Sequence, residues 1–503
     1  MEQLLSNLGL GFSVALSLTN LWYCFIGVLL GTLIGVLPGI GPLATIAMLL
    51  PVTFTLSPTS ALIMLAGIYY GAQYGGSTTA ILVNLPGETS SAITMLDGYQ
   101  MARQGRAGPA LGIAAIGSFI AGSAATLLIA VAAPPLAEVA LKFGPAEYFS
   151  LMVLGLVGAV VLAHGSVVKA VAMVILGLLL GLIGTDVNSG VARFTFGVPE
   201  LSDGLGFVAI AMGTFGYAEI ILNLEQGEHR EVFTAKVGKL LPSMDDFIYC
   251  VPSIIRATIL GSALGILPGG GALLGSFGAY AVEKKLTKDR EPFGKGNIRG
   301  VAGPEAGNNA AAQTSFIPML TLGIPSNAIM AMMIGAMMIQ GIAPGPQVMT
   351  QKPDLFWGMI ASMWVGNLML VILNLPLIGM WIKLLTVPYR ILYPAILLFC
   401  TIGVYSVQNS AFDSILTALF GLFGYICVKT ESEPAPMLLG YILGPLMEEN
   451  LRRAMLLSRG DPTVFFQRPI SAVMLVLAIL LLIVIALPFL QKKRDEVFTE
   501  SDQ

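Results

Sequence analysis

The chain is poor in charge, since only 11% of its 503 residues are Asp, Glu, Lys or Arg. A soluble globular protein carries roughly 25% charged residues. Hydrophobic residues make up 55% of the chain and the mean hydropathy is +0.82. This composition excludes a soluble globule. The net charge is −3 and the sequence has no basic tract, so nothing in it indicates a nucleic acid partner.

Histidine and cysteine are also scarce. The two histidines, His164 and His229, lie near the ends of apolar stretches, and the four cysteines lack the spacing of metal ligands. An intramembrane enzyme would need a nucleophile with a base or a pair of acids. We therefore expect no enzyme and no cofactor, apart from a coupling ion such as Na⁺. The start, Met1-Glu2-Gln3, has no positive residue before the apolar run and does not read as a cleaved signal peptide.

Long apolar stretches are what the chain has in place of charge. A helix of about 20 apolar residues crosses a bilayer, and we count roughly ten to twelve such segments along the sequence. The predicted fold is an all-α polytopic protein that crosses a lipid bilayer many times.

One phrase occurs twice, and further helix-breaking motifs follow each copy. The copies are Gly35–Gly41 and Gly265–Gly271. The motifs that follow are Gly75–Thr79 with Asn84–Glu88, and Asn308–Thr314 with Gly323–Asn327. Each motif interrupts an apolar stretch. Broken helices at matching places in two halves of a membrane protein point to a transporter and its binding site. For Leu37-Pro38-Gly39 and Leu267-Pro268-Gly269, a structural hairpin corner is an equally good interpretation.

Positive residues change sides between the two halves. The loop 54–59 has no charge, whereas its counterpart, 283–299, is rich in Lys and Arg. In the next pair the order reverses: 97–108 carries arginines and 340–347 carries no charge. Because short cytoplasmic loops are enriched in Lys and Arg, this pattern predicts inverted-topology repeats with broken helices or re-entrant hairpins.

The predicted organisation has five parts. They are an apolar or interfacial segment (1–19), a first membrane repeat (20–223), a cytoplasmic linker (224–249), a second membrane repeat (250–460), and a final membrane helix with a charged tail (461–503). The topology of residues 4–18 and 434–470 stays open.

The breaks carry the predicted chemistry. A half-helix N-terminus suits a carboxylate, and carbonyls at a half-helix C-terminus suit Na⁺. We expect Ser77 and Thr78 to cap the second piece of a helix broken at Gly75–Thr79, and Ser326 and Asn327 to cap another helix. The residues predicted to bind the substrate are Gly75, Gly76, Ser77, Thr78, Thr79, Pro86, Gly87, Gln313, Thr314, Pro325, Ser326 and Asn327. The candidate Na⁺ ligands are Asn84, Asn308 and Asn309.

Few ionisable residues lie near these motifs. Glu305 is the main candidate, and a loop carboxylate at the cytoplasmic edge is the alternative interpretation. We expect Asp97 and Asp186 to be solvated.

Taken together, the motifs resemble the large membrane subunit of the tripartite tricarboxylate transporter family. The resemblance runs from Leu21 to about Arg453 and is carried by Gly35–Pro42, Tyr69–Glu88 with Leu96-Asp97-Gly98, Gly265–Gly271, Pro304–Thr314, and Leu322–Asn327 with Gly341–Pro346. It implies a small membrane subunit and a periplasmic solute-binding protein as partners. It also implies import of citrate-like carboxylates across a bacterial inner membrane, driven by a Na⁺ or H⁺ gradient. The absence of a phosphate-binding loop agrees with transport that does not use ATP.

The predicted function is therefore a secondary active importer of small tri- and dicarboxylates, working by an elevator-like motion. Two alternatives stay open. A channel would need a continuous polar path, whereas the breaks here are local. A scaffold subunit would leave solute binding to a partner.

Overall fold

The computed structural model describes residues 2–37, 41–163, 166–186, 189–226, 239–267, 271–287, 291–384 and 389–486. The Pro-Gly residues of both Leu-Pro-Gly motifs, both histidines, residues 227–238 of the linker and the charged tail lie outside the described residues. The described part is helical except for loops, short turns and one antiparallel pair of strands, β1 (Gly184–Thr185) and β2 (Ala192–Arg193).

The first half of the chain is built from ten helices in its described part. They are α1 (Glu2–Ala15), α2 (Leu18–Val36), α3 (Pro42–Thr53), α4 (Pro58–Val83), α5 (Ala92–Arg103), α6 (Ala107–Ala140), α7 (Pro145–Leu162), α8 (Val167–Gly181), α9 (Phe207–Ala211) and α10 (Ala218–Gln226). A 3₁₀ turn, Thr89–Ser91, precedes α5, another, Pro199–Leu201, precedes α9, and a π-helical segment, Met212–Tyr217, joins α9 to α10.

The second half continues the helical pattern. Its helices are α11 (Met244–Ile266), α12 (Gly271–Leu286), α13 (Arg299–Thr314), α14 (Phe316–Leu322), α15 (Ala328–Ile339), α16 (Gln347–Gln351), α17 (Pro353–Asn374), α18 (Ile378–Leu384), α19 (Tyr389–Gln408), α20 (Ala411–Lys429), α21 (Ala435–Leu457), α22 (Val464–Gln467) and α23 (Pro469–Ala486).

Several of these helices suit a bilayer. In the described part, five helices are long and apolar enough to cross a membrane, namely α2, α6, α11, α17 and α20. Shorter apolar helices of 10–17 residues accompany them. The prediction of an all-α, multi-pass membrane protein is confirmed, while the count of ten to twelve segments stays a prediction.

The predicted helix break at Gly75–Thr79 is wrong, because α4 runs without interruption from Pro58 to Val83. The glycines serve packing instead. A Cβ on Gly75 would lie 2.4 Å from the carbonyl oxygen of Thr32 in α2, so the glycine allows two helix backbones to touch. Ser77 is an interior residue that donates back to the carbonyl of Gln73 at 3.0 Å, and it caps nothing.

The real ends of these helices lie a few residues further on. Asn84 ends α4 in the left-handed conformation, with φ 56°, as expected for the residue before the Leu-Pro-Gly stop. In the second half, Asn308–Thr314 lies inside α13. The helix is interrupted at Ser315, and the next helix ends at Gly323, where φ is 73°. Asn327 caps α15 as predicted, since its side chain accepts the N–H of Met330 at 2.9 Å.

The two halves pack their first helices in the same way. A Cβ on Gly35 of α2 would lie 2.4 Å from the carbonyl oxygen of Ala72 in α4. At the matched position, a Cβ on Gly265 of α11 would lie 2.3 Å from the carbonyl oxygen of Ala311 in α13. The repeated glycine thus marks a repeated contact between helix backbones.

The halves also pack on each other reciprocally. Helix α6 packs on α13, and α17 packs on α4. Helix α12 packs on the turn Thr89–Ser91, and α15 packs on α3. Likewise, α8 packs on α21, and α20 packs on the π-helical segment. In each of these three pairs, a contact from the first half to the second has a counterpart in the opposite direction.

Some expected boundaries fall inside helices. The divisions at 19/20, 223/224 and 249/250 lie within α2, α10 and α11 respectively. The N-terminal segment forms α1, which packs on α17. The segment after Pro434 forms the continuous helix α21.

Candidate functional site

A cavity of about 580 Å³ lies where the starts of several helices meet. Its walls include the first residues of α3 (Gly41–Leu43), α12 (Gly271–Leu273), α15 (Asn327–Ile329) and α21 (Ala435 and Pro436). One of these helices, α3, belongs to the first half of the chain, and the other three belong to the second half. The volume suits a small organic ligand, for which pockets of roughly 300–1,000 Å³ are usual.

The polar character of this cavity comes from backbone and uncharged side chains. Helix N-termini present free N–H groups and about half a positive charge each, which favours an anion. The described residues of the wall include no Lys, Arg or His. They do include three carboxylic acids, Glu88, Glu219 and Glu433. An anion held here would therefore be held by N–H and amide donors, with acids nearby.

In the first half, the chain after α4 folds back along that helix. A Cβ on Gly87 would lie 2.1 Å from the carbonyl oxygen of Gly35 and 2.5 Å from Cα of Gly76. A Cβ on Gly76 would in turn lie 2.9 Å from the side chain of Glu88. Both glycines are needed for this close approach, which brings Pro86, Gly87 and Glu88 to the cavity wall.

In the second half, the chain after α14 folds back in the matching place. The hydroxyl of Ser326 donates to the carbonyl of Ser315 at 3.2 Å, and the amide of Asn327 donates to the Ser315 hydroxyl at 3.3 Å. Counted from Pro86 and Pro325, Ser315 corresponds to Gly76 and Asn327 to Glu88. The two fold-backs thus bring a carboxylate and an amide to the same cavity.

The side chains at these positions pair reciprocally. Tyr69, in α4, reaches Asn327 and Ser315. Asn308, in α13 at the position that matches Tyr69, reaches Glu88. By strict geometry neither amide atom of Asn308 has a hydrogen-bond partner, and neither does Oε1 of Glu88. The structure therefore matches Asn308 with Tyr69, whereas the sequence motifs paired it with Gly75–Thr79.

Three predicted substrate ligands lie away from the cavity. Ser77 donates to Glu305, and Thr78 borders a separate void of about 10 Å³, which has room for roughly one water molecule. Thr79 donates to the carbonyl of Val36 at 2.8 Å. The hydroxyls of Ser77 and Thr79 thus hold helices together, and none of the three residues lines the cavity with Asn327.

Glu305 is buried, which rules out the interpretation as a loop carboxylate at the cytoplasmic edge. Its side chain is 0% exposed. Ser77 of α4 donates to one carboxylate oxygen, and Thr94 of α5 donates to the other at 2.6 Å. Glu305 belongs to α13, so it joins the two halves beneath the cavity.

Asp97 was expected to be solvated, and this is wrong because its side chain is 0% exposed. Its Oδ1 accepts the backbone N–H groups of Gly294, Gly296 and Asn297 at 2.8–2.9 Å, and Tyr280 donates to Oδ2 at 3.0 Å. These partners lie in the other half of the chain. Asp97 thus anchors the loop before α13.

Asp186 was also expected to be solvated, but it is only 6% exposed. Ser189 donates to its carboxylate at 2.7 Å, and Arg452 forms an ion pair with it at 3.1 Å. The expectation failed because Arg452 comes from α21, far along the chain.

The candidate Na⁺ ligands do not share one environment. Asn84 is exposed, whereas Asn308 and Asn309 are 0% exposed. Asn309 donates to the hydroxyl of Ser118 at 2.7 Å, on the side facing α6.

The remaining predicted residues line the interior. Gln313 is buried with both amide atoms unpartnered, and Thr314 donates to the carbonyl of Ala310 at 3.1 Å. Pro325 is buried beside Ser326.

Sequence reasoning missed several residues of the cavity wall. They are Tyr69, Gln73, Glu88 and the helix starts at Gly41–Leu43 and Gly271–Leu273. A signal for the helix starts was present, because each follows a Leu-Pro-Gly motif directly. For Glu88 the signal was its place beside Gly87, at the end of the motif Asn84–Glu88.

The fold and the cavity define a multi-pass α-helical membrane protein with a ligand-sized site between two matched halves. Residues 21–439 match the tripartite tricarboxylate transporter TctA family. The chain belongs to this family and is a membrane component of a tripartite transport system, which includes other subunits.

Two relatives come from Agrobacterium vitis. One, described as an uncharacterized 52.8 kDa protein in the TAR-I ttuC′ 3′ region, is 60% identical over 502 residues and covers 100% of both chains. The other, described as an uncharacterized protein in the TAR-II ttuC′ 3′ region, is 59% identical over 242 residues, which are 48% of this chain and 100% of the relative. No solved structure matches the chain.

Proposed function

We propose that this chain is the permease of a secondary importer for small, citrate-like tri- and dicarboxylates in a bacterial inner membrane. A periplasmic binding protein delivers the carboxylate, a small membrane subunit assists, and a Na⁺ or H⁺ gradient drives uptake. The observation that carries the proposal is the cavity between matched helix starts. A carboxylate there accepts hydrogen bonds from the N-terminal N–H groups of α12 and α15 and from the Asn327 amide.

The proposal includes inverted repeats. The reciprocal packing of α6 on α13 and α17 on α4 supports a two-fold relation between the halves. The charge bias of the loops supports an axis in the membrane plane. Thr55 is exposed in the loop after α3, Lys285 is exposed in the last turn of α12, and the four native cysteines are buried. In intact cells, an impermeant thiol reagent should label Thr55→Cys but not Lys285→Cys, and labelling of both from one side contradicts inversion.

The proposal also includes an elevator-like motion. The helix starts of α3, α12 and α15 line the cavity, and so do Ala159, Phe215 and Leu439 from other helices. The first group would carry the substrate past the second. Structures in two accessibility states test this step, since a site that keeps its height in the membrane excludes an elevator.

The function is tested by uptake of labelled carboxylates into vesicles that contain this chain with both partners. We expect saturable accumulation that collapses when the driving gradient is removed, with Na⁺ and H⁺ gradients varied separately. Flux that does not saturate and ignores both gradients would indicate a channel. A scaffold role would leave the KM for the carboxylate unchanged when cavity residues of this chain are altered.

A further inference from the structure

Glu88 is a buried carboxylate in the wall of the cavity. It is 8% exposed and its Oε1 has no hydrogen-bond partner. The described residues of the cavity wall include no Lys, Arg or His. Taking a carboxylate out of water without a counter-charge is costly, and either a proton or a bound cation removes that cost.

The groups that face Glu88 are amides, a phenol and another acid. Gln73 of α4 and Asn308 of α13 reach its carboxylate, and both are 0% exposed. Oδ1 of Asn308 has no donor, and Oε1 of Gln73 accepts only the hydroxyl of Ser90 at 2.8 Å. The ionisable groups nearby are Tyr69 and Glu305, and neither supplies a positive charge.

We propose that Glu88, Asn308 and Gln73 form a Na⁺ site in the wall of the cavity. Carboxylate and amide oxygens are the ligands that hard cations prefer. The site differs from the cluster predicted from sequence, since it excludes the exposed Asn84 and adds a carboxylate. As a coupling site it rests on the proposed function.

The residue that matches Glu88 in the second half explains why we propose one cation and not two. Asn327, at the position that corresponds to Glu88, is neutral, and its amide already caps α15. The cavity therefore has an acidic end at Glu88 and a donor end at Asn327. A Na⁺ ion at the first end and a carboxylate at the second would attract each other in a region of low dielectric, which lowers the cost of moving both.

The site is tested first by thermal unfolding of the purified full chain with its small subunit, in NaCl against choline chloride and KCl. A ligand that binds only the folded state raises the unfolding midpoint with its concentration. We expect Na⁺ to raise the midpoint of the unaltered protein and of Glu433→Gln, a control that removes another acid of the same cavity. We expect no Na⁺ shift in Glu88→Gln. A Na⁺ shift that persists in Glu88→Gln, or a midpoint that responds to pH and not to Na⁺, overturns the proposal.

Uptake supplies the second measurement. We expect Glu88→Gln to raise the Na⁺ concentration for half-maximal uptake by about tenfold or more, with the carboxylate KM at saturating Na⁺ changed by less than about threefold. If Glu88→Gln does not fold, Glu88→Asp takes its place in the experiment. Asp keeps the charge but holds it one methylene further from the site, so the Na⁺ concentration for half-maximal uptake should rise by less than the tenfold expected for Glu88→Gln. Unchanged Na⁺ dependence in both variants overturns the site alone. A third outcome separates the two proposals. If Na⁺ raises the unfolding midpoint of the unaltered protein but not of Glu88→Gln, and no carboxylate is taken up, the Na⁺ site stands and the importer is contradicted.

Discussion

The segment from α4 to Glu88 and the segment from α13 to Asn327 follow the same path with different side chains. Both contain a long buried helix, a Pro, and a fold-back that ends at the cavity. Only the first ends in a carboxylate. The comparison teaches that two segments with the same backbone path can place two matching positions in one site while their side-chain chemistry differs.

The fold-backs are also held differently. The first fold-back is possible because Gly76 and Gly87 have no side chain, whereas the second is held by hydrogen bonds of the Ser315 and Ser326 hydroxyls. Close backbone contact in one half thus corresponds to hydrogen bonding in the other.

The largest expected effect comes from adding a side chain where the first half tolerates none. Gly87→Val places a Cβ 2.1 Å from the carbonyl oxygen of Gly35, so the fold-back must move. Overpacking typically costs ~1–3 kcal/mol, occasionally more, and we expect the upper end or beyond. The unfolding midpoint and the yield of monodisperse protein measure it. Ser326→Ala, the matched control, should lose about one hydrogen bond, ~0.5–1.5 kcal/mol. Equal losses in the two variants would contradict the distinction.

The next effect separates binding from folding at Asn327. Asp caps helices as well as Asn does, so Asn327→Asp should keep the cap of α15 and lower the free energy of unfolding only by about one hydrogen bond, that to Ser315, ~0.5–1.5 kcal/mol. It adds a negative charge and removes an amide donor at the donor end of the cavity. The carboxylate KM in vesicles should rise by about tenfold or more, which corresponds to ~1.4 kcal/mol. A KM that stays the same would place the carboxylate elsewhere.

A smaller effect is expected beneath the cavity, where Glu305 joins the halves. Glu305→Ala removes the acceptor of the Thr94 hydroxyl and one of the two acceptors within reach of the Ser77 hydroxyl, the other being the Gln73 carbonyl, which costs ~1–3 kcal/mol. Because the groups interact, Glu305→Ala and Ser77→Ala should be non-additive in a double-mutant cycle, by ~0.5–3 kcal/mol. The unfolding midpoints of the two single variants and the double variant measure this. Additive losses would show that the contact is not formed.

The smallest effect is expected on transport by Ser77→Ala. Since Ser77 faces Glu305 and not the cavity, the carboxylate KM should change by less than about threefold. A tenfold rise would restore the prediction made from sequence, in which Ser77 binds the substrate.

Composition and Pro-containing breaks predicted the helical membrane fold, the end of α4 before Leu85 and the cap at Asn327. The continuous helix through Gly75–Thr79 could not be predicted from a single chain, because glycines that break a helix and glycines that let helices touch look alike. The partners of Asp97 and Glu305 were also beyond reach, since both acids bind groups in the other half of the chain. Local patterns do not report such distant contacts.

The central claim is that matched helix starts from both halves enclose one carboxylate. Leu43 and Leu273 occupy matched positions after the two Leu-Pro-Gly motifs and line the cavity, whereas Asn84 is exposed outside it. The most direct measurement is the rate of thiol alkylation of Leu43→Cys, Leu273→Cys and Asn84→Cys, with and without a transported carboxylate. We predict that the carboxylate slows alkylation at both leucine positions and not at Asn84. If alkylation at both leucine positions is as fast with saturating carboxylate as without it, the account is contradicted.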